Sequence, residues 1–137
     1  MSDLQDFLMD SFEDAEVIER KVSLGGKDKV MKFKSISATT GDEIRKSCRK
    51  TTFHKGQRIV ETDQDAFVAK LITETTVFPD FKSQELQQSW GVLGAENLLN
   101  AMKAKMKDGE YATLSNIVSE INGYNKTMDD LVEEAKN

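Results

Sequence analysis

The chain has 137 residues, a net charge of −5 and 31% charged residues, a length that suits one domain and buries roughly 68% of the surface the unfolded chain would expose. One cysteine and one histidine exclude an internal disulfide and leave no ligand set for zinc, so no metal or cofactor is expected. No apolar run nears the ~18 residues of a membrane span, the start is acidic where a signal peptide is basic, and the acidic balance argues against general nucleic-acid binding, so an intracellular protein with no membrane or nucleic-acid partner is expected.

Residues 1–15 form an acidic amphipathic N-terminal segment. Leu4, Phe7, Leu8 and Phe12 fall at i, i+3, i+4 and i+8, one face of a helix, while Asp3, Asp6, Asp10, Glu13 and Asp14 cover the other. Two readings stand: a terminal helix packed on its own domain, or a docking segment ordered in a partner's groove.

From Glu16 to Ile36 the pattern changes to period two. Ile18, Arg20, Val22 and Leu24 alternate, Gly25-Gly26 interrupt, and Met31 and Phe33 resume, which predicts a β-hairpin. Its outer strand is expected to be an edge guarded by Lys21, Lys27, Lys29, Lys32 and Lys34. Thr40-Gly41-Asp42-Glu43 matches a capping box and predicts a helix to about Thr51. Only Ile44 and Cys48 stripe it; Arg45, Lys46, Arg49 and Lys50 leave a basic face that is either solvated or a phosphate-binding surface. Phe53 to Glu61 reads as a loop or second short hairpin touching the core through Ile59 and Val60.

A helix capped by Thr62 carries Phe67, Val68, Leu71, Ile72 and Thr75. It runs into Val77-Phe78-Pro79-Asp80-Phe81, where proline forces a turn and the aromatics pin that turn into the core. Ser83 caps a short helix to Trp90, with Gly91 as a left-handed C-cap. Ala95 to Lys107 and Glu110 to Asn122 give two more helices, separated by a break at Asp108-Gly109 and closed by Gly123. Residues 125–137 form an acidic C-terminal tail with Met128, Leu131 and Val132 as its apolar positions.

Catalytic chemistry finds no constellation. Cys48 and His54 are six apart, so a thiolate-imidazole pair competes with a structural cysteine and a solvated histidine, and no orienting third group is evident. Gly25-Gly26-Lys27 is too short for a phosphate loop. No catalytic residue is assigned and a non-enzyme is expected.

Phe78-Pro79-Asp80-Phe81-Lys82, followed by Glu85-Leu86, Trp90-Gly91-Val92, Leu98-Leu99 and Ile117…Ile121-Asn122-Gly123-Tyr124, resembles the XkdN-type phage tail assembly chaperones. Upstream, Phe33-Lys34-Ser35-Ile36-Ser37 and Gly41-Asp42-Glu43-Ile44-Arg45 fit the same order. The resemblance covers about Glu16 to Tyr124, and the segment after Asn125 departs from it. It implies a chaperone that coats the tape measure protein while tail tube subunits polymerise around it, acts in the host cell cytoplasm and is absent from the mature virion. Its partners would be the tape measure protein and the major tail tube protein, with a homo-oligomer left open.

The expected fold is mainly α with a small N-terminal β-hairpin: a compact helical domain over residues 16–124 between the two acidic ends. Partner binding is expected at Leu4, Phe7, Leu8, Phe12, Met128, Leu131 and Val132. Phe78, Pro79, Asp80, Phe81, Trp90 and Gly91 form a structural signature. The alternatives are a structural virion component, such as a head-tail connector or tube-associated protein, and a DNA-contacting packaging or regulatory protein.

Overall fold

A computed structural model describes residues 3–124. Five strands are present among them, β1 (Val17–Leu24), β2 (Lys27–Lys34), β3 (Arg49–His54), β4 (Gln57–Thr62) and β5 (Thr76–Phe78). Five α-helices alternate with them: α1 (Ala38–Ser47), α2 (Gln64–Thr75), α3 (Gln84–Ser89), α4 (Ala95–Lys103) and α5 (Asp108–Ile121). The strands make a three-stranded sheet of order β1-β2-β5 and a separate two-stranded ribbon, β3-β4.

The fold is therefore α+β, with strands throughout the N-terminal half, and the expectation of a mainly α chain with one small hairpin is corrected. The physical reason lies in two segments. Arg49 to His54 was assigned to the tail of a basic helix, yet its Thr-Thr-Phe run is β-branched and aromatic, and it pairs in register with Gln57 to Thr62. Thr76 to Phe78 follows α2 directly and pairs with Lys32 and Phe33, making β2 the middle strand rather than an edge.

The first hairpin follows its alternation. Val22, Met31 and Phe33 are fully buried, and Gly25 and Gly26 take φ of +65° and +81° in the tight turn, a geometry glycine enters without a Cβ penalty. Leu71 and Ile72 of α2, Phe81, Leu98 and Leu99 of α4, and Leu114 and Val118 of α5 complete one core beneath this sheet. Fully burying such a side chain contributes ~1.5–3 kcal/mol.

Several helix ends move. Ser37 caps α1, its hydroxyl accepting from the Thr40 N–H at 3.1 Å, so the helix starts ahead of the Thr40 box and stops at Ser47 where β3 begins. Asp63 rather than Thr62 caps α2, accepting from the Ala66 N–H. Asp108-Gly109 opens α5 instead of breaking the chain. Ser83 and Gly91 do cap and close α3, Gly91 at φ +68°. In the ribbon Ile59 is half-buried, while Val60 is exposed and does not reach the core.

Three polar side chains tie distant segments together. The Glu110 carboxylate accepts from the Ser23 hydroxyl and from the Gly25 and Gly26 N–H groups, clamping the hairpin turn to the start of α5 at 2.9 to 3.1 Å. Its own helix adds the Lys107 N–H at 2.7 Å. Asn122 accepts from the Ile36 N–H and donates to Thr75 Oγ1, each at 2.9 Å. Gln87 donates to the Phe81 carbonyl and accepts from the Gly94 N–H, fixing the aromatic turn against α4.

Candidate functional site

Two features stand out from the folded core: the N-terminal leader and a groove beside β2. The leader, residues 3–14, is not a helix with one apolar face. It forms two 3₁₀ turns, Leu4–Phe7 and Met9–Ser11, the first capped by Asp3. Successive turns of this kind point side chains in different directions, so Leu4 (76% exposed), Phe7 (72%), Leu8 (51%), Met9 (85%) and Phe12 (68%) all face solvent. The reading in which this segment packs on its own domain is thereby set aside. Met128, Leu131 and Val132 lie outside the described residues.

The groove, of about 600 Å³, has an apolar floor that includes Met31, Phe78, Phe81, Trp90, Met102 and Met106. Lys27, Lys29 and Lys105 stand along it, and no acidic residue lines it. Phe78 is 58% exposed and Val30 47% exposed at its mouth. Parity explains the lysines: Lys29 lies opposite Val22 and Lys27 opposite Leu24, so both share the helix-facing side of the sheet and project over the groove rather than along an edge.

The signature residues divide. Phe81 is buried and Trp90 half-buried, whereas Phe78 is exposed at the groove mouth, so the turn is pinned by one ring and presents another. Pro79 is half-buried after a cis peptide bond, and the Asp80 carboxylate accepts from the Lys82 N–H at 2.9 Å.

The basic helix face does not assemble. Arg45 donates to Asp42 at 2.6 Å and lies 5.9 Å from the centre of the Phe67 ring, which meets Tyr124 edge-on. The Asp42 hydrogen bond, helped by Tyr124, raises the Arg45 pKa above its ordinary value. Arg49 and Lys50 belong instead to the β3-β4 ribbon. Cys48 is buried at the end of α1, and His54 stands at the far end of β3, roughly 17–20 Å along an extended strand, so the two do not meet. Among the described residues no group of three or more His, Cys, Asp or Glu could hold a metal ion, and no helix is long and apolar enough to cross a membrane.

Sequence reasoning missed the groove because its walls come from β2, the aromatic turn, α3 and the ends of α4 and α5, which no local pattern joins. The available signal was the pair Lys27 and Lys29, two charges at inward positions of an otherwise apolar alternation.

A protein with an uncovered apolar leader and a cleft without catalytic groups fits a binding protein, and the comparisons identify which kind. The model of the phage XkdN-like tail assembly chaperone proteins matches residues 4–136, and the chain belongs to that family. It is 35% identical over 144 residues to YqbN of Bacillus subtilis (strain 168), covering 98% of this chain and 93% of that one. It is 35% identical over 143 residues to XkdN of the phage-like element PBSX in the same organism, covering 98% and 94%. The crystal structure of YqbN matches with a TM-score of 0.67 at 29% identity over 90% of this chain and 98% of that chain. The family match extends through both ends, correcting the expectation that the segment after Asn125 departs from the pattern.

Proposed function

We propose that this tail assembly chaperone binds the tape measure protein and tail tube subunits in the host cytoplasm while the tail is built, without catalysis, and is absent from the mature virion. The observation that carries the reading is the leader: five large apolar side chains between Leu4 and Phe12, all exposed, on a segment with no base before Arg20. Such a segment orders against a partner's apolar surface and leaves again, because the ordering entropy subtracts from the contact energy. The acid surplus keeps the released chaperone soluble. Met128, Leu131 and Val132 are proposed as a second contact of the same chemistry at the other end.

Co-purification with a tape measure protein tests this. Deleting residues 1–14 or 126–137 is expected to leave the circular dichroism spectrum of the core unchanged and to weaken capture, and normal capture by both truncated chains removes the docking role of the ends. Mass spectrometry of purified particles tests the release, since a stoichiometric amount in mature virions would make the chain a structural component.

A further inference from the structure

We propose that the groove beside β2 receives the leader, residues 3–14, of a second copy of this chain. Charge and polarity are complementary. The leader carries Asp3, Asp6, Asp10, Glu13 and Asp14 and no basic residue, while the groove is lined by Lys27, Lys29 and Lys105 and no acid. Apolar surface matches as well. The leader exposes Leu4, Phe7, Leu8, Met9 and Phe12, and the groove offers an apolar floor of about 600 Å³, inside the roughly 300–1,000 Å³ range of binding clefts.

Placement favours a neighbour over the chain's own leader. The leader enters at Val17, which pairs with Lys34, at the opposite end of the hairpin from Gly25 and Gly26, and it stands away from its own groove with every large apolar side chain exposed. The β1 strand between the two ends spans roughly 23 Å at 3.3 Å per residue. The groove also offers main-chain partners. Since β5 pairs only with Lys32 and Phe33, the backbone of β2 from Lys27 to Met31 has no strand on that side among the described residues. An extended segment can add there as a further strand.

Each copy carries one leader and one groove, so the contact either closes reciprocally into a dimer or links copies head to tail. In both cases the leader is held by another copy when no client is present, and a client must compete for it.

The test is sedimentation equilibrium of the full chain over a concentration series at low salt, read together with Trp90 fluorescence. Trp90 is the only tryptophan and lies in the groove. The expected result is a mass rising above the monomer with concentration, accompanied by a blue shift of Trp90 emission, both receding in high salt. Reversing the groove charges (Lys27→Glu with Lys29→Glu) or the leader charges (Asp6→Lys with Asp10→Lys) is expected to weaken association about tenfold each. Combining the two reversals in one chain is expected to restore it, which loss of folding would not do. A chain that stays monomeric at every concentration overturns the proposal, including the case where leader deletion shifts Trp90 in the monomer, which would place the leader in its own groove. Association that neither reversal weakens, or that the combination fails to restore, overturns it equally.

Discussion

The two hairpins of this protein use the same turn and meet opposite fates. In β1-β2 the turn is Gly25-Gly26, with positive φ at both residues; in β3-β4 it is Lys55-Gly56, again positive at both, at +51° and +79°. The first hairpin lies on α5 and α2, gains a third strand from β5 and has its turn clamped by Glu110. The second is a two-stranded ribbon in which β3 is exposed at every position and only Ile59 and Thr62 of β4 are half-buried. Local turn chemistry therefore makes a hairpin but does not make it structural. Burial does that, because an isolated two-stranded hairpin is marginal in water.

Breaking the comparison starts with paired phenylalanines. Phe33 is fully buried in the first hairpin, and Phe33→Ala is expected to cost ~3–5 kcal/mol in urea unfolding; Phe81→Ala, under the same sheet, belongs in the same range. A loss below about 1 kcal/mol at either site would mean the core is assembled differently.

Smaller is the effect at Asn122. Asn122→Ala removes the partner of the Ile36 N–H and is expected to cost ~1–3 kcal/mol by thermal or urea unfolding, the range for stranding a part-buried donor.

Glu110 sharpens the comparison through pH. Four donors hold its carboxylate down to about 2 from the ordinary 4.5, led by the Lys107 N–H of its own helix with those of Gly26, Ser23 and Gly25 behind it. A lowered carboxylate pKa contributes stability that is fully present above about 4.5 and lost as pH falls towards about 2. The wild-type chain is thus expected to lose stability over that window more steeply than Glu110→Gln, measured by urea midpoints at stepped pH. Equal slopes would show that the clamp does not form in solution.

At the bottom of the scale sits Phe53, 73% exposed in the ribbon. Phe53→Ala is expected to change stability by no more than about 0.5 kcal/mol, and a loss of the size expected at Phe33 would place the ribbon in the core.

What the sequence made legible follows the same division. Val22, Met31 and Phe33 announced their strand through alternation, and Leu71, Leu98, Leu114 and Val118 announced their helices through a single buried stripe. Arg49 to His54 was misread because its four polar and basic residues were counted as a helix face, with no burial to discipline the period. Glu110, Asn122 and Gln87 were not seen at all. Glu110 and Asn122 bond residues more than 80 positions away, beyond any local pattern, and Gln87 faces inward from a short helix whose other residues are polar. The leader was legible in composition but not in conformation: its spacing fits a helix, yet a short segment without a surface to lie on has no packing to hold one.

The account's central claim is that the core stays fixed while the uncovered leader does the binding. Hydrogen exchange of the full chain, dilute enough to be monomeric, measured alone and with a tape measure protein, tests it most directly. Alone, amides of β1-β2 are expected to exchange far more slowly than those of β3-β4 and of residues 4–12. With the partner, residues 4–12 are expected to become protected while the β1-β2 amides keep their rates. Protection arising in the core with none in residues 4–12 would contradict the claim.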